Sequence, residues 1–309
     1  MCTSHWKLRL GLEMMQQVSC VYNDSHRTNR QTKLYIFIQG LKRLGGYFNL
    51  SMSYRQDADI LIPYGQVVKS NNLPNETHLD QLIQEFGQRN SHLASKENHS
   101  QALIAQFVSN CGSVSGREAL VASLSQHVPV DVFGDCGKLK CPRSNSTNCY
   151  QMLGSRYKFY LSLENAVCKD YVTEKFFNIL PYNTIPVVMN GADMANIAPK
   201  HSFINILDFA STAKLAAYLK KVAQDDVLFA SYFWWRDFYK VKVVEINRSP
   251  QQFIILQSFP STMVSSWCKL CSLLHSQDVP THPPFSLITD LWQYWDNQGR
   301  CRKPPFIQL

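Results

Sequence analysis

Hydrophobic period along this chain is carried by short stretches that alternate in kind. From Gln101 the order is strand, helix, strand: ALIAQFVSN reads as a strand, Arg117 to Gln126 contains a short helix, and VPVDVFG is the next strand. Tyr157 to Leu163 alternates aromatic and aliphatic residues with few breakers, as a buried strand does, and Glu164 and Asn165 end its apolar run. A helix is predicted next, with Asp170 as N-cap and Pro181 stopping it at Leu180. On that helix Val172, Phe176 and Ile179 share one face, and Tyr171, Glu174, Lys175 and Asn178 the opposite one. Strands follow at Thr184 to Met189 and over SFINILDF. Ser211 caps a helix over STAKLAAYLKKVAQ with Leu215, Leu219 and Val222 as its core stripe, and the aromatic SYFWWRDFY reads as helical core. This βαβα alternation predicts an α/β region with a mostly parallel sheet.

The first hundred residues are less regular. Residues 1 to about 32 are polar without period, LYIFI (Leu34 to Ile38) is a strand candidate, and ADILIPYG reads as a strand with Asp57 and Asp59 at its mouth. Residues 66–100 are rich in Asn, Gln, Ser and His around one helical patch, HLDQLIQEF. A domain boundary is therefore expected near residue 100, giving domains 1–100 and 101–309. A length of 309 residues accommodates two domains. The net charge of +8 suits an anionic ligand, but the basic residues are scattered, which argues against nucleic acid as a partner.

Ten cysteines include one C-x-x-C, Cys268–Cys271, with no second pair at zinc-ribbon spacing, so disulfides are the stronger reading. Six sequons, at Asn23, Asn49, Asn75, Asn98, Asn145 and Asn247, point the same way, to the secretory pathway. No apolar run of 18 residues is present, so neither a signal peptide nor a membrane anchor is visible. His78, His92 and His99 lack a ligand-like spacing and read as surface residues. No G-x-G-x-x-G supports a dinucleotide cofactor.

The candidate chemistry gathers after Leu163. Free N–H groups at a helix N-terminus, with Lys175 in the second turn, suit an anion, and ligands of α/β sheets sit outside the carboxyl ends of strands. Glu164, Asn165 and the polar helix face would converge there. YLSLENAVCKDYVTEKFFNIL followed by TIPVVMNG resembles the signature of the α1,3-fucosyltransferases, which are inverting glycosyltransferases using GDP-fucose. FNLSMSYRQDADILIPYG, QFVSNCGSVSGR, the FG-x-CG of FGDCGKLKCPRSNSTNC and SYFWWR resemble further segments of that family. The resemblance implies a GT-B fold, two Rossmann-like domains facing a cleft. It makes residues 1–100 the acceptor side and 101–309 the GDP-fucose-binding side with a cysteine-containing tail. It implies donor contacts from Asn110, Arg117, Glu164, Asn165, Tyr171, Glu174 and Lys175, with Arg117 and Lys175 clamping the diphosphate. GDP-fucose enters as a substrate and no cofactor is implied. The D-x-D of Asp57 and Asp59 is read as structural and not as a metal site. FGDCGKLKCPRSNSTNC looks like a disulfide-stapled loop, and Cys301 is expected to pair with a cysteine of WCKLC.

One piece is missing. In the family a strand like LYIFI leads into a Glu-Ser-Pro motif whose glutamate is the expected base, but here Ile38, Gln39 and Gly40 run straight into LKRLGGYF. The catalytic base is therefore unassigned, and Glu164 is not given that role. The first functional reading is an α1,3-fucosyltransferase acting on glycoprotein N-glycans in the Golgi lumen, membrane-held through an anchor that this chain does not show. The Cys168 context leans it to N-glycan core fucosylation. The second is a donor-binding, catalytically impaired relative or incomplete gene product; the third is a non-enzymatic carbohydrate-binding protein. The phosphate-suited DYVTEK stretch weighs against the third. Residues 241–266 have no counterpart in the family pattern and no functional reading.

Overall fold

A computed structural model describes residues 51–70, 76–96, 102–142, 146–243, 266–270, 294 and 301. The LYIFI strand, all six sequon asparagines and residues 244–265 lie outside the described residues. The chain forms two compact units, one of Met1–Met52, Ala58–Ile60 and Ser265–Gly299, the other of Ser53–Asp57, Leu61–Val264 and Arg300–Leu309. In the first unit the Asp59 carboxylate accepts the Ser51 backbone N–H and hydroxyl, both at 2.7 Å, and Lys269 Nζ donates to the Asp59 carbonyl at 3.0 Å. ADILIPYG contributes the two-residue strand β2 (Ile60–Leu61), preceded by β1 (Met52–Ser53), and at its end the first residue of β3 (Gly65–Lys69), so the single longer strand expected there does not form.

The second unit is built on five parallel strands. These are β4 (Ile104–Phe107), β5 (Val130–Phe133), β6 (Phe159–Leu163), β7 (Ile185–Met189) and β8 (Ile204–Asn205). Their spatial order is β5-β4-β6-β7-β8. This is the α/β parallel sheet the sequence predicts, although SFINILDF shrinks to two strand residues followed by a 3₁₀ turn at Ile206–Asp208. Side chains alternate across it. Ile104, Phe159, Leu161, Leu163 and Val187 join one buried cluster with Leu120 and Leu124 of α2 (Arg117–Ser125) and Leu215 and Leu219 of α5 (Thr212–Gln224). Ala105 and Tyr160 face a second cluster with Leu153 of α3 (Ser146–Arg156) and Ile179. Ser211 caps α5 as expected, its side chain accepting from the Lys214 N–H.

Helix α1 (Leu79–Arg89) packs against α6 (Asp226–Ser231), at a crossing so close that a Cβ on Gly87 would lie 2.4 Å from the Val227 carbonyl oxygen. Residues 61–96 thus share this compact unit with the sheet, and the units do not divide the chain near residue 100. The start of the stretch without a family counterpart also has a place: β9 (Tyr239–Val243) pairs antiparallel with β3 (Gly65–Lys69). SYFWWRDFY ends α6 and then forms a 3₁₀ turn at Trp234–Asp237, with Tyr232 to Trp235 buried as core. Arg236 donates to Asn183 Oδ1 at 2.7 Å and to the Leu180 carbonyl at 3.0 Å, tying down the turn that enters β7.

His201 stacks on Tyr232 at 3.9 Å, and its Nε2 lies 2.8 Å from Ser231 Oγ. Burial, and secondarily the Lys200 charge, push its pKa from 6.5 down to about 4. Between those values the unfolded chain binds more protons than the folded one, so this group's contribution is present above about pH 6.5 and lost as pH falls toward 4. The thermal unfolding midpoint is expected to drop on acidification through that window. In His201→Asn, which tolerates the native φ of 58°, the slope should be shallower. Unfolding curves across that pH range check this.

Candidate functional site

The chain passes from β4 outward to the edge strand β5 and then crosses back to β6 on the other side of β4. The strand order therefore reverses between β4 and β6, the switch point at which open α/β sheets form a crevice outside their strand ends. Every residue the sequence nominates follows one of these two strands. Asn110 and Arg117 follow β4; Glu164, Asn165, Tyr171, Glu174 and Lys175 follow β6.

Arg117 faces inward. It is 2% exposed, donates from Nη1 to the Leu163 carbonyl at 3.0 Å and from Nη2 to the Asn110 carbonyl at 2.7 Å, and its Nε lies 3.3 Å from Glu118 Oε1. A buried guanidinium needs such partners. One of them is the last residue of β6 and another lies in the loop after β4, on the two sides of the crevice. The Ser115 N–H also donates to the Asn165 carbonyl at 3.1 Å, and the Asn110 side chain is exposed. Disulfide Cys111–Cys136 fastens the same loop to the one after β5, and Cys141–Cys149 closes the next loop, giving the expected stapled segment.

Glu164, 1% exposed, accepts the Thr173 N–H at 2.8 Å and the Thr173 hydroxyl at 2.9 Å. Lys175 Nζ sits among Thr173 Oγ1 at 3.0 Å, Glu174 Oε1 at 3.2 Å and Glu164 Oε2 at 3.4 Å. Burial raises the Glu164 pKa, with Lys175 pulling against it. For Glu174 burial acts upward too, but the Lys175 charge and hydrogen bond outweigh it and the pKa is lowered. Lys175 is 19% exposed and Glu174 46%, so Glu174 is the partner that can turn away from the lysine.

The helix expected from Asp170 to Leu180 is a single turn, α4 (Glu174–Phe177), with Thr173 as its N-cap. Asp170 has φ +60°, a left-handed conformation unlike the extended backbone of the usual side-chain N-cap, and lies four residues before the helix begins. The argument from a long helix N-terminus therefore fails here; Val172 and Phe176 are buried in one cluster, as expected of a shared face, but Ile179, beyond the single turn, is buried in the other. Thr173, which links Glu164 to Lys175, was missed; the Thr-x-Lys spacing was its signal.

Asp57 is engaged by Arg55 at 2.6 Å and by Lys169 at 3.0 Å. The Arg55 hydrogen bond holds its pKa well below the usual carboxylate range. With Asp59 bonded to Ser51, both carboxylates of the D-x-D have protein partners. Among the described residues no cluster of three metal-ligating side chains occurs. Tyr171 packs on Tyr54, ring centroids 4.9 Å apart, and on Tyr64 at 6.4 Å. Burial raises the pKa values of Tyr171 and Tyr64, the latter to about 12. Cys301 pairs with Cys168, just ahead of this loop, and not with the WCKLC cysteines as expected.

The fold and site define an α/β protein with an acidic-basic cluster at the carboxyl edge of its sheet. Residues 97–289 match the family described as glycosyltransferase family 10 (fucosyltransferase), C-terminal part, and the chain belongs to that family. It is 34% identical over 277 residues to alpha-(1,3)-fucosyltransferase C of Drosophila melanogaster, covering 85% of this chain and 57% of that protein. With glycoprotein 3-alpha-L-fucosyltransferase A of the same organism it shares 33% over 256 residues, 82% of this chain and 44% of that one. The chain thus spans about half the length of these curated relatives. A crystal structure titled alpha1,3-fucosyltransferase with GDP-fucose is 17% identical with a TM-score of 0.42, covering 67% of this chain and 56% of that one.

Arg117→Ala would strand the Leu163 and Asn110 carbonyls in a buried place. It is expected to lower the unfolding free energy by about 2–4 kcal/mol, read by urea denaturation.

Proposed function

We propose that this chain binds GDP-fucose at the β4–β6 switch point and serves α1,3-fucosyl transfer to GlcNAc of glycoprotein N-glycans in the Golgi lumen. In a GT-B arrangement the five-stranded sheet, with the loops after β4 and β6, would be the donor side. The observation that carries this reading is Lys175, held beside Glu174 and Glu164 at a crevice of the kind that binds nucleotides in α/β sheets, in a chain of the fucosyltransferase family. The names of the two Drosophila relatives support the linkage, and one of them the glycoprotein acceptor.

In this reading Glu174 turns away and Lys175 meets the diphosphate, offsetting charge that develops as GDP departs from an oxocarbenium-like centre. Arg117 holds the crevice walls, and the Asn110 and Asn165 loops line them. Tyr171 and Glu174 contact the nucleoside and fucose hydroxyls. Glu164 orients Thr173 and Lys175; its burial keeps it from an acceptor hydroxyl. No metal or cofactor has a part in this reading, GDP-fucose being a substrate.

A second reading, a donor-binding chain with weak transfer, is favoured by one observation: Gly40 and Leu41 follow Ile38–Gln39 where the family has Glu-Ser-Pro. A missing general base typically costs about 10²–10⁴-fold in rate.

Lys175→Ala is expected to weaken GDP by about 1.5–3 kcal/mol, roughly ten- to a hundredfold, in calorimetric titration. The exposed Lys200→Ala serves as control. Unchanged GDP affinity in Lys175→Ala overturns the anion-site reading. Separately, a Glu-Ser-Pro segment inserted after Ile38 is expected to raise acceptor-dependent GDP release over the parent chain. Full transfer by the parent would instead identify another base.

A further inference from the structure

Three contacts bring the 53–57 loop onto the loop that carries the candidate donor site, and two more fix the groups that make them. Lys169 Nζ lies 3.0 Å from Asp57 Oδ2. The Asp170 carboxylate accepts the Gln56 backbone N–H at 3.1 Å. Tyr54 and Tyr171 pack ring against ring. Arg55, 0% exposed, grips Asp57 through Nε at 2.7 Å and Nη2 at 2.6 Å, so the carboxylate that Lys169 meets is itself fixed from inside the fold. Disulfide Cys168–Cys301 pins the residue immediately before Lys169. All of these residues belong to one compact unit.

The conformation of Asp170 fits this arrangement. At φ +60° a side chain is disfavoured, and Asp, Asn and Gly tolerate the position best. Asp meets two demands there: it accepts the left-handed backbone that turns the chain from Lys169 toward Tyr171, and its carboxylate fastens that turn to Gln56. Three residues later Thr173 reaches Glu164, and Lys175 follows. The turn at Asp170 therefore sets where the Thr173–Lys175 segment meets the end of β6.

We propose that Asp57, Lys169 and Asp170 are positioning residues: a clasp between the 53–57 and 168–175 loops that holds Tyr171, Thr173 and Lys175 in their donor-binding places. The Asp57 of the D-x-D then acts on the site through Lys169, without a metal. The inference rests on the donor-site reading for its consequence but not for the clasp itself.

The test separates the two. Asp57 is left intact, since removing it would take two hydrogen bonds from the buried Arg55. Lys169→Ala, Asp170→Gly and Asp170→Asn are compared with the parent chain in two measurements. The first, without ligand, is amide hydrogen exchange at Gln56 and Tyr171–Lys175. Faster exchange is expected in Asp170→Gly, which keeps the left-handed turn but loses the acceptor, and in Lys169→Ala. Near-parent exchange is expected in Asp170→Asn, which keeps both the turn and an acceptor oxygen.

The second measurement is GDP titration. Affinity is expected to fall about three- to fivefold in Lys169→Ala, the scale of an exposed ion pair, and further in Asp170→Gly, with recovery in Asp170→Asn. Exchange and affinity unchanged in both Lys169→Ala and Asp170→Gly overturn the clasp. Faster exchange with unchanged affinity removes its positioning role. Faster exchange in Lys169→Ala and Asp170→Gly, with a parent chain that binds no GDP, upholds the clasp and overturns the donor reading.

Discussion

A single buried cation holds the crevice together. The Arg117 guanidinium lies under the point where the strand order reverses, and it has left water for the carbonyls of Asn110 and Leu163. Desolvating a charge is costly, so its partners are held to their places as firmly as it is. One belongs to the loop after β4, the other to the last residue of β6. The separation of the crevice walls is therefore set from beneath, by an internal group, and the neighbouring Ser115–Asn165 bond and Cys111–Cys136 disulfide act on walls already placed. Glu164 leaves β6 immediately after Leu163, so its direction, and that of Thr173 and Lys175 beyond it, follows from the same anchor.

Much of this fold was legible in the sequence because its strands are short, apolar and separated by breakers. Tyr157 to Leu163 reads as a strand since both faces of β6 are buried and only Lys158 and Ser162 interrupt the apolar run. The α5 stripe and its Ser211 cap are equally plain. What failed did so for nameable reasons. DYVTEKFFNIL has the period of a helix, yet its first turns are lost because Asp170 takes a left-handed turn and the Thr173 N–H goes to the Glu164 carboxylate. A periodicity argument cannot see a competing acceptor six residues upstream of the helix it predicts.

The residues nominated for the site do gather at one edge of the sheet, but the sequence could not say which way they point. Arg117 and an exposed arginine look alike in a string of letters; only the carbonyls around the guanidinium distinguish them. Lys175 was expected to meet an anionic ligand, and it stands between two carboxylates. Cys301 was expected to pair within the family-like tail, at WCKLC, whereas disulfide pairing is decided by distance in space, and its partner belongs to a loop 133 residues earlier.

That last pairing has a consequence for how the protein is made. A ribosome delivers the chain from its N-terminus, and domains begin to fold as they emerge. The β6 loop and its cysteine are exposed and folding long before residue 301 has been synthesised. Until then Cys168 is a thiol among earlier cysteines that are already seeking partners, and any bond it makes with them has to be undone by exchange, over seconds to hours depending on oxidant and isomerase. The loop bearing the candidate site is thus locked only after residue 301 has been made, 133 residues later in the chain. Its yield in correctly paired form depends on the oxidising machinery of the compartment as much as on the stability of the sheet beneath it.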